Sequence, residues 1–133
     1  MDWLWPGRCL VCGMASLRAV DLCLPCEADL PAPVLARPGR GPLASVHAAY
    51  GYAPPVDRLL PRLKFHGDLA AGRVLVAGMV RALAAAPRPL ALVPVPLHPA
   101  RLRSRGYDQA LELARPLARA LGLPLLPGAL RRV

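Results

Sequence analysis

Aromatic side chains are scarce in this 133-residue chain, which has two Trp, three Tyr and one Phe. A row of aromatic platforms for stacking nucleic-acid bases is therefore not expected. Acidic residues are few as well, eight against seventeen basic ones. No two of them are adjacent, so paired carboxylates for acid–base work are missing. There is no Ser-His-Asp set, no metal-binding His cluster and no Walker-type Gly-rich phosphate loop. Long apolar runs are lacking too. The best candidate, Val74 to Ala86, is shorter than a bilayer span and contains Arg81, so membrane insertion is not expected. Met1-Asp-Trp-Leu-Trp5 has no basic stretch of the kind that opens a secretory signal, which makes a cytoplasmic location the expectation.

What is present is concentrated. Every cysteine lies between positions 9 and 26, as Cys9-Leu-Val-Cys12-Gly13 and Cys23-Leu-Pro-Cys26. Two residues between thiols let the backbone form a knuckle that brings both sulfurs to one metal. Gly13 permits the positive φ such a knuckle often needs. Cys9, Cys12, Cys23 and Cys26 together would complete a closed, structural, tetrahedral zinc site. The rivals are two disulfides or redox-active pairs. Disulfides call for an oxidising compartment, and a redox pair for a βαβ unit of its own. Zinc is the preferred reading. Trp3 and Trp5, just before the first knuckle, are expected to cover it.

The formal charge is +9, and sixteen of the seventeen basic residues are arginine. Such a charge attracts polyanions and phosphates. Seventeen prolines are spread along the whole length and punctuate its elements. Residues 1–45 read as a zinc-binding module followed by a linker rich in Pro, Gly and Arg, with a short helical turn at Glu27–Leu30. Residues 46–133 read as α/β: a strand over Val46–Tyr52, then a short amphipathic piece at Val56–His66 made doubtful as a helix by Pro61. A helix capped by Asp68 and running to about Ala86 follows, with Leu69, Val76, Met79, Val80 and Leu83 on its apolar face. Leu90–Val95 then reads as a strand covered on both faces and paired in parallel. A loop follows it, and then a helix capped by Asp108, kinked or shifted by Pro116 and stopped at Gly122.

That loop carries the main functional lead. His98, Arg101, Arg103 and Arg105 lie between the strand and the Asp108 helix, where arginine forks and free N–H groups can surround an anion. His98 has the chemistry of a base, although a lone histidine in a turn is commonly a surface residue. The spacing yields anion binding and no reaction.

With these residues in hand, the chain resembles the N-terminal part of the ComF family, in which a zinc ribbon precedes a type I phosphoribosyltransferase-like domain. The resemblance rests on the two knuckles, Tyr50-Gly-Tyr52, Leu63-Lys-Phe-His-Gly-Asp68, Val93-Pro-Val-Pro-Leu-His98 and Arg101-Leu-Arg-Ser-Arg-Gly-Tyr-Asp-Gln109. It implies a parallel sheet flanked by helices, with phosphoribosyl pyrophosphate and Mg2+ as ligands wherever a complete site is formed. Pro96, Leu97 and His98 would then lie on the pyrophosphate side, with Arg101, Arg103 and Arg105 beside them. The family is linked to competence and DNA uptake. Asp108 stands where the family usually has Asn. The family's acidic, Thr/Gly-rich ribose-phosphate loop is absent, so the chain resembles a member truncated before that loop and catalytically incomplete. The alternative is a non-enzymatic zinc-ribbon module that binds single-stranded DNA or a competence partner.

Overall fold

The computed structural model describes residues 7–132; Trp3 and Trp5, expected to cover the metal site, lie outside the described residues. Two short strands, β1 (Gly7–Arg8) and β2 (Ala15–Ser16), pair antiparallel around the first knuckle. The second knuckle starts helix α1 (Leu24–Ala28), with Pro25 in its first turn. This helix begins earlier than the turn expected at Glu27–Leu30, because a proline in the first turn gives up no helical hydrogen bond.

The segment expected to be a linker contains a strand. β3 (Val34–Pro38) pairs antiparallel with β4 (Ser45–Ala48), with an irregularity between Val34 and Arg37. Prolines are tolerated here because a two-stranded ribbon has only edges.

Three helices build the core. α2 (Val56–His66) runs unbroken through Pro61. The hydrogen bond lost there is outweighed by Leu59 and Leu63, each 1% exposed on the face that Pro61 does not share. α3 (Leu69–Leu83) is capped as expected, with the Asp68 carboxylate accepting from the N–H groups of Ala70 and Ala71 at 3.0 and 3.2 Å. Its buried side matches the expected one only in part: Val76 is buried as expected and Ala71, Val74 and Leu75 join it, whereas Leu69 is 55% exposed. The helix is covered by α2 on one side and by a later helix on the other, which turns it away from the simple apolar stripe. α5 (Gln109–Leu121) follows the Asp108 cap and ends at Gly122, whose φ is 65°. It passes through Pro116 without interruption, and Leu117 and Ala118 are its buried residues. Between α3 and α5 lies α4 (Pro99–Arg105), a helix where a loop was expected.

The strand expected from Leu90 to Val95 is reduced to one parallel bridge between Leu92 and Leu125. Two hydrogen bonds make it: Leu92 N to Pro124 O at 2.8 Å and Leu126 N to Leu92 O at 2.9 Å. Pro94 and Pro96 supply no donors, and Leu90, Val93 and Val95 are 96%, 40% and 60% exposed. Its direction is the one expected, but no parallel sheet forms among the described residues, and the cover expected on both faces is not there. Arg88 secures the same corner by donating to the carbonyls of Leu121 and Gly122 at the end of α5. No helix among the described residues is long and apolar enough to cross a membrane.

One buried cluster spans the boundary drawn at residue 45. Cys9, Leu22 and Cys26 pack with Val56, Leu59, Leu63, Ala71, Val74 and Leu75. Polar ties reinforce the junction: Arg62 donates to the Leu10 carbonyl at 3.1 Å and pairs with Asp68 at 2.7 Å. Glu27 is clasped by Arg18 and Arg81, the latter at 2.9 Å. The Tyr50 hydroxyl donates to the Leu75 carbonyl at 2.8 Å, which brings its ring onto α3 at Gly78. A Cβ at Gly78 would stand 1.7 Å from that hydroxyl oxygen.

Two outcomes follow. Gly78→Ala should destabilise the fold by about 1–3 kcal/mol in urea unfolding, because the Tyr50 ring has to move; an unchanged midpoint would contradict this packing. For Glu27, the hydrogen bond from Arg18 comes first in holding the carboxyl below its usual 4.5, with burial opposing and Arg81 assisting. A depressed folded value means its stabilisation is complete above the ordinary glutamate range and drains away as pH falls through the folded one. Urea midpoints taken from pH 7 down to 3 should therefore fall more steeply for the native chain than for Glu27→Gln. Parallel curves would remove Glu27 from the account.

Candidate metal centre and anion-facing cleft

The ligand atoms of Cys9, Cys12, Cys23 and Cys26 all lie within 4.8 Å of one another. Local chain geometry explains the gathering. Gly13, with φ 77°, turns the first knuckle back, its N–H donating to the Cys9 carbonyl at 2.9 Å. In the second, Cys23 is the residue capping α1 and Cys26 lies one turn into it. Cys9 and Cys26 are buried, Cys23 is partly so and Cys12 is exposed.

The donor set fits a tetrahedral ion. Four sulfurs about 2.3 Å from a zinc-sized centre stand about 3.8 Å apart, and Cys12 and Cys23 place their sulfurs at 3.7 Å. The sulfurs also need a cation. Burial works against ionising Cys9, yet N–H groups at Cys12, Cys23 and Val11 bring its thiol down to about 6. Cys26 moves the other way: the neighbouring Cys23 thiol, then burial, keep its proton on. Cys9 thus ionises readily while Cys12 and Cys26 resist, which is the response of crowded sulfurs. A divalent ion reverses that preference and lets all four ionise. The cluster is a candidate structural metal centre with no open coordination position.

The anion residues expected from the sequence are distributed differently. At about 100° per residue, Arg101 and Arg105 share one side of α4, while Arg103 points to the opposite side. The helix therefore separates three arginines that a loop would have gathered. None of the three forms an ion pair among the described residues. His98 caps α4, its Nδ1 accepting from the Ala100 N–H at 3.2 Å. A neutral ring using Nδ1 as acceptor carries its proton on Nε2, so His98 has no spare lone pair for a base. Leu97 donates its N–H to Asp108 at 3.4 Å, and Pro96 is half-buried beside it. Asp108 also takes the N–H groups of Ala110 and Leu111, at 3.0 and 3.3 Å. The donors expected at the start of that helix are thus already occupied.

Arg105 instead faces the end of α2. Lys64, Phe65, His66, Ser104, Arg105 and Tyr107 line a cleft of about 490 Å³. Tyr107 buckles its two walls together, donating its hydroxyl to the Leu63 carbonyl and accepting from the Gly67 N–H at 3.2 Å. Lys64, Phe65, His66 and Tyr107 belong to the stretches that carry the family resemblance, but nothing in their spacing assigns them a role. Contact across 40 positions, set by one tyrosine hydroxyl, is invisible in spacing.

The chain is 35% identical over 88 residues to Competence protein F of Haemophilus influenzae. The match takes in 62% of this chain and 38% of that protein, so the chain spans well under half of the relative's length. No protein-family model matches the chain, and no solved structure matches it. The likeness lies in the direction of the expected ComF family and of competence.

The purified chain should hold one metal ion, released together with loss of helical signal when a strong chelator is added. Cys9→Ser or Cys26→Ser should reduce bound metal well below one ion per chain. Full metal content in both variants would exclude the four-cysteine centre.

Proposed function

We propose that this chain is a ComF-family protein related to phosphoribosyltransferases and associated with competence and DNA uptake, its four cysteines holding zinc. The observation that carries this reading is the 35% identity to Competence protein F over 88 residues. The tetrathiolate geometry supports the zinc, because an all-sulfur tetrahedral set selects zinc over the harder cations. When bound, zinc would supply a cross-link between the two knuckles and no reactive position.

In this reading the segment from Pro96 through Leu97 and His98 to Arg101, Arg103 and Arg105 forms the pyrophosphate side of a parallel-sheet domain. The Leu92–Leu125 bridge is the start of that sheet. Phosphoribosyl pyrophosphate and Mg2+ bind productively only where a complete site exists. This polypeptide offers no adjacent acidic pair for the ribose hydroxyls. By itself, then, it does not transfer a phosphoribosyl group.

One observation favours the second reading, a non-enzymatic module that binds single-stranded DNA. The chain is strongly basic, and its one Phe is 65% exposed between two cations. Filter binding of an oligonucleotide at rising salt separates the two. Steep loss of affinity without competition by phosphoribosyl pyrophosphate supports the DNA module, and competition supports the transferase-related site. Added to Mg2+ and phosphoribosyl pyrophosphate, the purified chain should release no pyrophosphate; sustained release would overturn the claim of catalytic incompleteness.

A further inference from the structure

Phe65 is in an unusual position for the one phenylalanine of a chain with so few aromatics. It is 65% exposed at the end of α2, whereas Leu59 and Leu63 of the same helix are buried. Lys64 Nζ lies 5.4 Å from its ring centroid, and the Arg105 guanidinium carbon lies 5.7 Å away from α4. Those separations are at the outer range of cation–π contact, so the cations flank the ring without enclosing it. Exposure alone says little about an apolar side chain. Here it coincides with a cleft, with cations from two helices and with the absence of any carboxylate in the lining.

The backbone around the cleft is two helix C-termini, and part of its carbonyl character is taken up by hydrogen bonds. A helix C-terminus ordinarily presents bare carbonyls and a partial negative charge. At the end of α2 two carbonyls are engaged: Arg62 O accepts from Gly67 and Asp68, and Leu63 O from the Tyr107 hydroxyl. At the end of α4, Leu102 O accepts from Gly106, and Arg101 O from Ser104 Oγ. The nearby carboxylates are engaged too, Asp68 with Arg62 and Asp108 with its own helix and Leu97. The cations of the lining are Lys64 and Arg105, the latter also donating to Gln109 Oε1 at 2.5 Å.

We propose that this cleft is the seat of single-stranded DNA, with one base stacked on Phe65 and the flanking phosphates held by Lys64 and Arg105. The proposal rests on the DNA-binding reading above and adds to it a location. Tyr107 holds the two walls at a fixed separation and is a positioning residue. A stacking face accepts any base, so the site selects single strands over duplex and shows little sequence preference.

The test uses the full zinc-loaded chain and a fluorescent oligothymidylate, with anisotropy read at several salt concentrations. Phe65→Ala should weaken binding roughly 5- to 150-fold, the range expected for one stacked base, while Phe65→Trp should keep or raise affinity. Lys64→Gln with Arg105→Gln should flatten the salt dependence by about 1.4 log units per log unit of salt, for two phosphates on a single strand. Arg58→Gln, an exposed charge elsewhere on α2, serves as the control for bulk charge. Oligothymidylate carrying 5-iodouracil should photocross-link to the tryptic peptide that begins at Phe65. Native binding that survives Phe65→Ala unchanged, with cross-links elsewhere, overturns this location while leaving DNA binding intact. No binding by the native chain overturns both. Displacement by millimolar inorganic pyrophosphate with Phe65→Ala unaffected assigns the cleft to a small phosphorylated ligand and likewise overturns the proposal.

Discussion

Four sulfur atoms held within 4.8 Å of one another set the terms for the rest of this chain. Two unit charges of like sign at 4 Å repel by about 4 kcal/mol where the effective dielectric is about 20. Four ionised thiols cannot share that space without a cation, and four protonated thiols gain little from sharing it. A metal ion bound there would resolve the conflict and cross-link the two knuckles at once. Because Cys9 and Cys26 are also buried members of the main core, such a cross-link would bear directly on α2 and α3. A chain with so few aromatics and so many prolines has few other means of fixing its first third against its helices.

The second constraint lies at the C-terminal end of α2. Tyr107 reaches back to Leu63 and Gly67 and so fixes where α4 and its arginines sit. Gly67, with φ 62°, lets the chain leave α2 and enter the Asp68 cap within two residues. The cysteine cluster and the tyrosine buckle thus both bear on α2, and the cationic cleft opens beside the buckle. Zinc and DNA binding, on the reading proposed above, are joined through a single helix.

The parts legible in the sequence are those governed by local chemistry. The C-x2-C pairs, the Asp68 and Asp108 caps and the Gly122 stop each depend on a few neighbouring residues, and each is found where expected. The parts that were not legible depend on distant partners. Pro61 and Pro116 look like helix breakers until the buried leucines around them are counted. The arginine segment reads as a loop because its alternate spacing suits no single face, yet His98 and Pro99 start a helix there and Gly106 stops it. Val34–Pro38 reads as linker until Ser45–Ala48 is available to pair with it. Of the parallel pairing implied by the family resemblance, the described residues show one bridge, Leu92–Leu125, since Pro94 and Pro96 leave the strand short of donors.

The central claim, that the metal centre organises the helical core as well as its own knuckles, is tested most directly by amide hydrogen exchange before and after chelation. The account predicts that removing the metal strips protection from residues 9–26 and also from the buried stretches of α2 and α3 around Leu59, Leu63, Val74 and Leu75. Protection lost between residues 9 and 26 but retained along both helices would contradict it, and would make the cysteine module an appendage to a core that stands without it.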